Sequence, residues 1–437
     1  MKLKHLFAVA AIAALGNEGL SAQTVIRIVA SNGDRSATQT AISKILAPGW
    51  TFQGTSGLSN ASSLSTVTST NFGAWNGTYN GNAVIIKVSY AGALAGISAI
   101  AGNTDQRFVV SNGTGSGNLP NPLTGTTQGV DYEIGKADFG FSTNFQSTSP
   151  FNGVYQGKTY NTVIEEIVGI SPLGFYASPG FPATNITTQQ AQLLYTSGNI
   201  PLAVFTGDYT NDREKYVYAL GRNTDAGQRF GAYTEVGLGT AAAVKVYQPT
   251  YSTAPTTSGT TVYGGVIGSH ALWPAETVSD IFSPTGSGGF SSGALISQYL
   301  TTTLGADAYK GKYVEDGEIF YEHPDATAGY YIGYATPGDA NTRIVGGVVP
   351  TLNRGVSLYY NGVELNDANV RTGKYTAWLY NRQLRSQTPL TGVKLLFADA
   401  LRDQIKNTDA VAGGGLLNDT AFKVKRSSDG GLVVPKD

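Results

Sequence analysis

The chain has 437 residues, a formal net charge of -1 and only 14% charged residues, so Ser, Thr, Asn, Gln and Gly must cover much of its surface. Like charges never gather into a block, which offers neither a nucleic-acid face nor a polybasic membrane patch. The absence of cysteine excludes disulfides, thiolate metal sites and lipid attachment at a cysteine, and the length suits two lobes better than one small core.

Lys2 and Lys4 precede an apolar stretch from Leu6 to Leu15, and Leu20-Ser21-Ala22 before Gln23 has the small residues of a cleavage site. Residues 1–22 are therefore expected to form a signal peptide, with the mature chain periplasmic or secreted. The apolar stretch is roughly half of the ~20 residues that span a bilayer, so no integral membrane segment is expected.

Residues 24–30 (TVIRIVA) read as a strand that turns at Ser31-Asn32-Gly33 into a helical pattern from Thr38 to Leu46. Residues 47–81 carry WTFQGT and FGAWNGTYNG and read as a hairpin or surface loop. A second strand-turn-helix unit follows in NAVIIKVSY (82–90), Gly92 and the small residues up to Ala101. After a loop punctuated by Gly and Pro between Gly113 and Gly129, a short strand resumes over Ala137–Phe141. TVIEEIVGISPLGF (162–175) is a strand interrupted at Pro172, and Asn185 or Thr187 caps a helix whose apolar face holds Ala191, Leu193 and Leu194.

The segment YVYALGRNTDAGQR (216–229) is the most informative: a β-type run stops at Gly221, and Arg222 then enters a small polar loop that opens a helix. Unpaired N–H groups at a helix start beside an arginine make an anion site. Residues 245–265 suggest a hairpin extension, 291–303 a helix, AGYYIGYAT (328–336) a strand and Val393–Ile405 a helix. The Gly-rich polar tail after Ala410 is expected to be loosely attached. Strands alternating with helices predict an α/β protein whose ligands bind where strand ends meet helix starts.

In their order of appearance, IRIVASNG, YAGALAGI, ADFGFST, LGRNTDAGQR, WPAE, AGYYIGYAT and GKYTAWLYNR resemble the phosphate-type periplasmic solute-binding proteins of ABC transporters. The resemblance covers most of the mature chain. It implies the type II periplasmic-binding-protein fold, two lobes joined by a two-strand hinge with the cleft between them. Residues 23–168 and 337–410 would form lobe 1, 169–336 lobe 2 and 411–437 a C-terminal tail, with hinges near Val168–Ser171 and Gly333–Thr336. It also implies a monomer that works with an ABC permease, without a cofactor and without chemistry.

Carried over by position, the ligand loops are Ser31, Asn32, Gly33 and Arg35, then Ser142 and Thr143, then Arg222, Asp225, Gly227 and Gln228. The loops depart from the family pattern. Arg35 and Ser36 stand where a threonine and an aromatic residue are usual, and Ala93 or Leu94 replaces a serine. Thr143 replaces the aspartate that accepts the proton of hydrogen phosphate, for which Asp225 is the candidate stand-in. Thr224, Ala226 and Gln228 replace an aspartate, a serine and a threonine, while Ser142, Arg222 and Gly227 match.

Each oxygen of a buried anion left unpaired costs roughly 1–3 kcal/mol, so tight phosphate binding is not expected. A small ligand, carboxylate, sulfate or other oxyanion, held by Arg35 and Arg222 is expected if both point into the cleft. Set against this, Arg35 has a plain reading as a solvated arginine, and Arg222 as a structural arginine paired with Asp208 or Asp225. The alternative function is a surface or adhesion protein that keeps the fold without a small-ligand site, for which the loops at 50–81 and 245–265 speak. Weaker constellations are the Glu165-Glu166 pair as hydrolase carboxylates, His270 and His323 without metal-ligand spacing, and Trp273, Tyr330, Tyr331, Tyr334 and Trp378 as cleft-lining or packing aromatics. TGSGG (285–289) lacks the Gly-Lys-Ser/Thr of a phosphate loop.

Overall fold

A computed structural model describes residues 23–55, 67, 70–239, 243–274, 288–341, 343–344, 346–411 and 416–437. The expected signal peptide, Ala275 and Glu276 of WPAE and Gly286 lie outside the described residues.

In chain order, Thr24–Val29 (β1) leads through a capped turn into Arg35–Ile45 (α1). Thr51–Gly54 (β2), Phe72–Tyr79 (β3) and Asn82–Ser89 (β4) precede Ala93–Ala101 (α2), and Phe139–Ser142 (β5) and Ile164–Pro172 (β6) follow. Next come Gly174–Ala177 (β7), Asn185–Ile186 (β8), Thr188–Ser197 (α3), Asn199–Pro201 (β9), Lys215–Ala219 (β10) and Gly227–Glu235 (α4). Tyr247–Thr253 (β11) and Val266–Leu272 (β12) pair as the expected hairpin extension, whose tip carries a smaller hairpin of its own. Gly293–Tyr299 (α5), Ala328–Ala335 (β13), Pro337–Asn341 (α6), Val356–Tyr360 (β14), Trp378–Arg385 (β15) and Gly392–Asp403 (α7) complete the core elements.

The strands form two principal sheets, ordered β6-β15-β5-β1-β4-β3-β2 and β8-β14-β7-β13-β10-β9. In the first, β1 runs parallel to β4 and β5; in the second, β10 runs parallel to β13. Each sheet packs against helices over an apolar core, the second of which also takes in Ile170, Trp378 and Tyr380 at the crossing, and the chain is a two-lobed α/β protein. The local signals act as expected. Thr187 caps α3 in a capping box, its hydroxyl accepting from Gln190 N at 3.2 Å while Gln190 Oε1 accepts from Thr187 N at 2.8 Å. The small residues of α2 let the helix sit directly on β5, where a Cβ added at Gly96 would lie 2.4 Å from Phe141 O.

Three boundary expectations are corrected. β14 pairs with β7 and β8, and Ala340, Ile344, Val370 and Tyr375 enter the cores of the second lobe, so residues 337–377 belong there and not to the first. β13, which contains Gly333, lies wholly within the second sheet and is no hinge. Val168–Ser171 lies inside β6 of the first sheet and is no hinge either; the chain instead crosses at Leu173 and Ala377, where Leu173 N donates to Ala377 O at 2.9 Å and Tyr375 Oη donates to Leu173 O at 2.7 Å.

The tail is not loose either. Leu416 enters the first core, Phe422 and Val424 the second, and Leu417 exchanges backbone hydrogen bonds with Ile170 of β6 at 2.9 and 3.0 Å. Arg426 pairs with Glu235 at 3.0 Å, and Asp429 accepts from Phe145 N at 2.9 Å. A few isolated apolar residues in a polar stretch are enough to fasten it along the crossing.

Candidate ligand site between the lobes

Four loops at the carboxyl ends of parallel strands converge: those after β1 and β4 from the first lobe, and those after β10 and β13 from the second. They enclose a cavity of about 210 Å³ bordered by Asn32, Arg35, Tyr90, Arg222, Gln228 and Asp339, with Asn71, Asn223 and Ser291 beside them. This is where open α/β sheets place ligands.

The wall from the first lobe is built on a short turn. Ser31 Oγ accepts from Gly33 N at 3.0 Å, which fixes Asn32 at the cavity edge. Asp34 is buried behind it and accepts from Asn381 Nδ2 of β15. Burial pushes the Asp34 carboxyl up to about 7, against the opposing pull of Asn381 and Arg382. Tyr90 Oη and Thr38 Oγ1 share a hydrogen bond at 2.6 Å, and burial pushes the Tyr90 phenol up. Arg35 is half-buried, and its side-chain hydrogen bond runs from Nη1 to Asn71 Oδ1. Burial lowers its pKa, while Asp339 and Tyr90 counter that effect.

The opposite wall is more tightly wired. Arg222 is only 4% exposed. Its Nε donates to Phe290 O at 3.0 Å, Nη1 to Gln228 Oε1 at 2.7 Å, and Nη2 to Ser291 O at 2.9 Å and Asn223 Oδ1 at 3.4 Å. Its backbone N–H donates to Tyr334 Oη at 3.0 Å. Burial lowers the guanidinium pKa and Asp339 opposes this. Arg222 is thus held by carbonyls and amides, where the sequence offered Asp208 or Asp225 as its structural partners. Asp339, on the turn after β13, accepts from Thr336 Oγ1 at 3.1 Å.

Of the residues predicted from sequence, Asn32, Arg35, Arg222 and Gln228 border the cavity. Ser31 and Gly33 lie behind it in the supporting turn. Thr143 and Gly227 are instead packed together where the lobes meet: a Cβ added at Gly227 would lie 2.1 Å from Thr143 Oγ1 and 2.6 Å from Ala93 Cβ, while Ser142 is buried with its Oγ accepting from Asn144 N at 3.1 Å. Asn144 Nδ2 donates to Gly227 O at 3.3 Å, which closes that contact. Asp225 is buried, with its carbonyl against Gly92 rather than its side chain on the cavity border.

Asn71, Tyr90, Asn223, Ser291 and Asp339 escape the sequence reading. For Asp339 the available signal is its position, just past a strand end in Thr336-Pro337-Gly338-Asp339.

The weaker constellations resolve into packing. Glu165 pairs with Arg382 at 3.3 Å and Glu166 with Arg402 at 3.1 Å, while Tyr331, Tyr334 and Trp378 are buried in the cores. His270 and His323 both approach the Tyr218 ring, at 4.2 and 6.5 Å between centroids. A larger cavity of about 710 Å³ opens beside Tyr247, His270 and Tyr313 in the second lobe, but it holds none of the predicted ligand-loop residues and no first-lobe residue. The smaller cavity, bordered by both lobes and by arginines, is the better candidate. Among the described residues, no helix is long and apolar enough to cross a membrane.

No family model matches the chain, and no curated protein matches its sequence. Among solved structures it is similar to an ABC-type phosphate transport receptor from Vibrio cholerae, at 11% identity and a TM-score of 0.41, over 90% of this chain and 99% of that one. It is also similar to PstS from Borrelia burgdorferi, at 10% identity and a TM-score of 0.38, over 91% of this chain and 99% of that one.

Proposed function

We propose that the protein binds a small ligand with an anionic group in the cavity between its lobes and performs no chemistry on it. The observation that carries this reading is that Arg35 of the first lobe and Arg222 of the second border one cavity of about 210 Å³. Two guanidinium groups at strand ends in a secluded site favour an anion, and the volume is below the ~300 Å³ at which drug-sized ligand pockets begin. Thr143 lies in the interlobe contact and Ser142 Oγ accepts from Asn144 N, both away from the cavity border, so phosphate held by hydroxyls does not suit the site.

In this reading the lobes part and close by bending at Leu173 and Ala377, since Gly227 against Thr143 and Ala93 seals the contact beside the cavity. Following an N-terminal signal segment, the protein would work in the periplasm or outside the cell as a monomer that delivers its ligand to an ABC permease.

The test is thermal unfolding of the mature chain with phosphate, sulfate, carboxylates, amino acids and sugars. A ligand that binds only the folded state adds RT ln(1 + [L]/Kd), about 2.7 kcal/mol at a hundredfold excess over Kd. At least one anionic compound should raise Tm for the wild type and lose that effect in Arg35→Ala. A flat response across the panel, identical in both proteins, overturns the reading.

A further inference from the structure

We infer that the cleft selects a zwitterion, a compact molecule whose acidic group pairs with Arg35 and Arg222 while its ammonium group pairs with Asp339. This rests on the reading of the cleft as the ligand site and adds the class of ligand.

The basis is an unmade ion pair. Asp339 borders the cavity with both arginines and acts electrostatically on each. No salt bridge within 4.0 Å joins it to either among the described residues. Opposite charges that face one another across a cavity without touching leave room for a molecule carrying both complements. The Asp339 Oδ2 atom is engaged by Thr336 Oγ1 at 3.1 Å, and Oδ1 has no hydrogen-bond partner among the described residues.

The inventory of donors and acceptors points the same way. Among the described residues, Arg222 engages four of its five N–H groups within the wall, which leaves one, and Arg35 has a single side-chain hydrogen bond. Those are donors for an acidic group, with the Arg35 fork suited to a carboxylate. The acceptors are Asp339 Oδ1 and Asn32 Oδ1, which is buried without a partner among the described residues. A carboxylate or sulfate brings no proton to either acceptor, whereas an ammonium brings three N–H donors. A dianion would also set its charge against Asp339.

Gly293 fixes the place of that carboxylate. A Cβ there would lie 2.3 Å from Asp339 Oδ2 and 3.0 Å from Gln228 Oε1, so a side chain at 293 would push the carboxylate aside. With a cavity of about 210 Å³, the fitting molecules are of the size of small α-amino acids.

The experiment is isothermal titration of the mature chain with glycine, alanine, serine and proline, each beside its deaminated acid, and with ethylamine, sulfate and phosphate. At least one amino acid should bind about tenfold or more tightly than its deaminated acid and than ethylamine. Asp339→Asn, nearly isosteric, should bring that amino acid down to the level of its acid without weakening the acid. Gly293→Ala should narrow the same ratio by displacing the carboxylate, provided its melting curve stays cooperative. The inference is overturned if the acids, sulfate or phosphate bind as well as every amino acid, or if Asp339→Asn leaves the ratio unchanged. In those cases the cleft reading survives so long as Arg35→Ala weakens the anion. If no probe binds and Arg35→Ala changes nothing, the cleft reading itself has failed.

Discussion

The two walls of the cleft carry one arginine each and treat it in opposite ways. Arg222 is locked by the carbonyls of Phe290 and Ser291, by Gln228 and by Asn223. Arg35 is half-buried and, among the described residues, tied through a single side-chain hydrogen bond to Asn71. A guanidinium that satisfies backbone carbonyls of its own lobe is part of the fold, and its removal leaves buried acceptors unpaired. One that faces a cavity with most of its donors unused is preorganised for something else. The comparison separates, within a single site, a charge spent mainly on its own wall from one left mainly to a ligand.

The largest effect is expected at Arg222. Arg222→Ala strands the Ser291 carbonyl and the Gln228 amide oxygen, each at roughly 1–3 kcal/mol, for a total loss of about 4 kcal/mol, while Phe290 O keeps the Asn223 N–H at 2.9 Å. Urea unfolding should show this as a lower midpoint with the slope unchanged, and ligand binding should be lost with it. A variant as stable as the wild type would remove the distinction between the walls.

The first wall has a conditional element beneath it in Asp34. Its folded-state pKa is raised from 3.8 to about 7 by burial, so between those values the folded protein binds more protons than the unfolded one. Stability contributed by this group is therefore present below about pH 4 and falls as the pH rises toward 7, by up to about 4 kcal/mol at 1.36 kcal/mol per unit. Asp34→Asn keeps an acceptor for Asn381 and should flatten that fall, read as the difference between variant and wild-type stability across the window. Equal slopes would mean that Asp34 is not the titrating group.

Much of this division was not legible in the sequence, for physical reasons. β1, β4 and β10 stand out because apolar runs end at turn residues, and Thr187 announces α3 because its capping box is local. Arg222 and Gln228 fall on one loop and its helix, so their proximity follows from chain order. The partners that make Arg222 structural are backbone carbonyls of a distant segment, which carry no residue-type signal. Asp339 reaches the cleft only because β13 lies parallel to β10, and β14 joins the second lobe through pairing with β7 and β8 that nothing local encodes. The tail looked loose by composition, yet Phe422 and Val424 suffice to bring it into the second core.

A smaller effect tests the contact that lets the walls face one another. Gly227→Ala places a methyl 2.1 Å from Thr143 Oγ1 and 2.4 Å from Asn144 Oδ1, so the lobes must separate or the loop must shift. Overpacking of this kind costs about 1–3 kcal/mol. Small-angle scattering should show a larger radius of gyration without unfolding. If the radius is unchanged and ligand affinity intact, the contact yields locally and does not set closure.

The smallest effect on the fold, and the most decisive for function, is expected at Arg35. With its side chain half-buried and one hydrogen bond to Asn71, Arg35→Ala should change stability by less than about 1 kcal/mol. Removal of the unengaged guanidinium should nonetheless weaken an anionic ligand about tenfold or more, since a charge-assisted hydrogen bond to a buried anion is worth roughly 1.5–3 kcal/mol. Arg35→Lys keeps the charge but loses the planar fork, so it should fall between the two. If Arg35→Ala instead destabilises the protein as much as Arg222→Ala while affinity holds, the two arginines have been assigned the wrong way round. The difference between the walls would then have to come from Asp339 and not from the guanidinium groups.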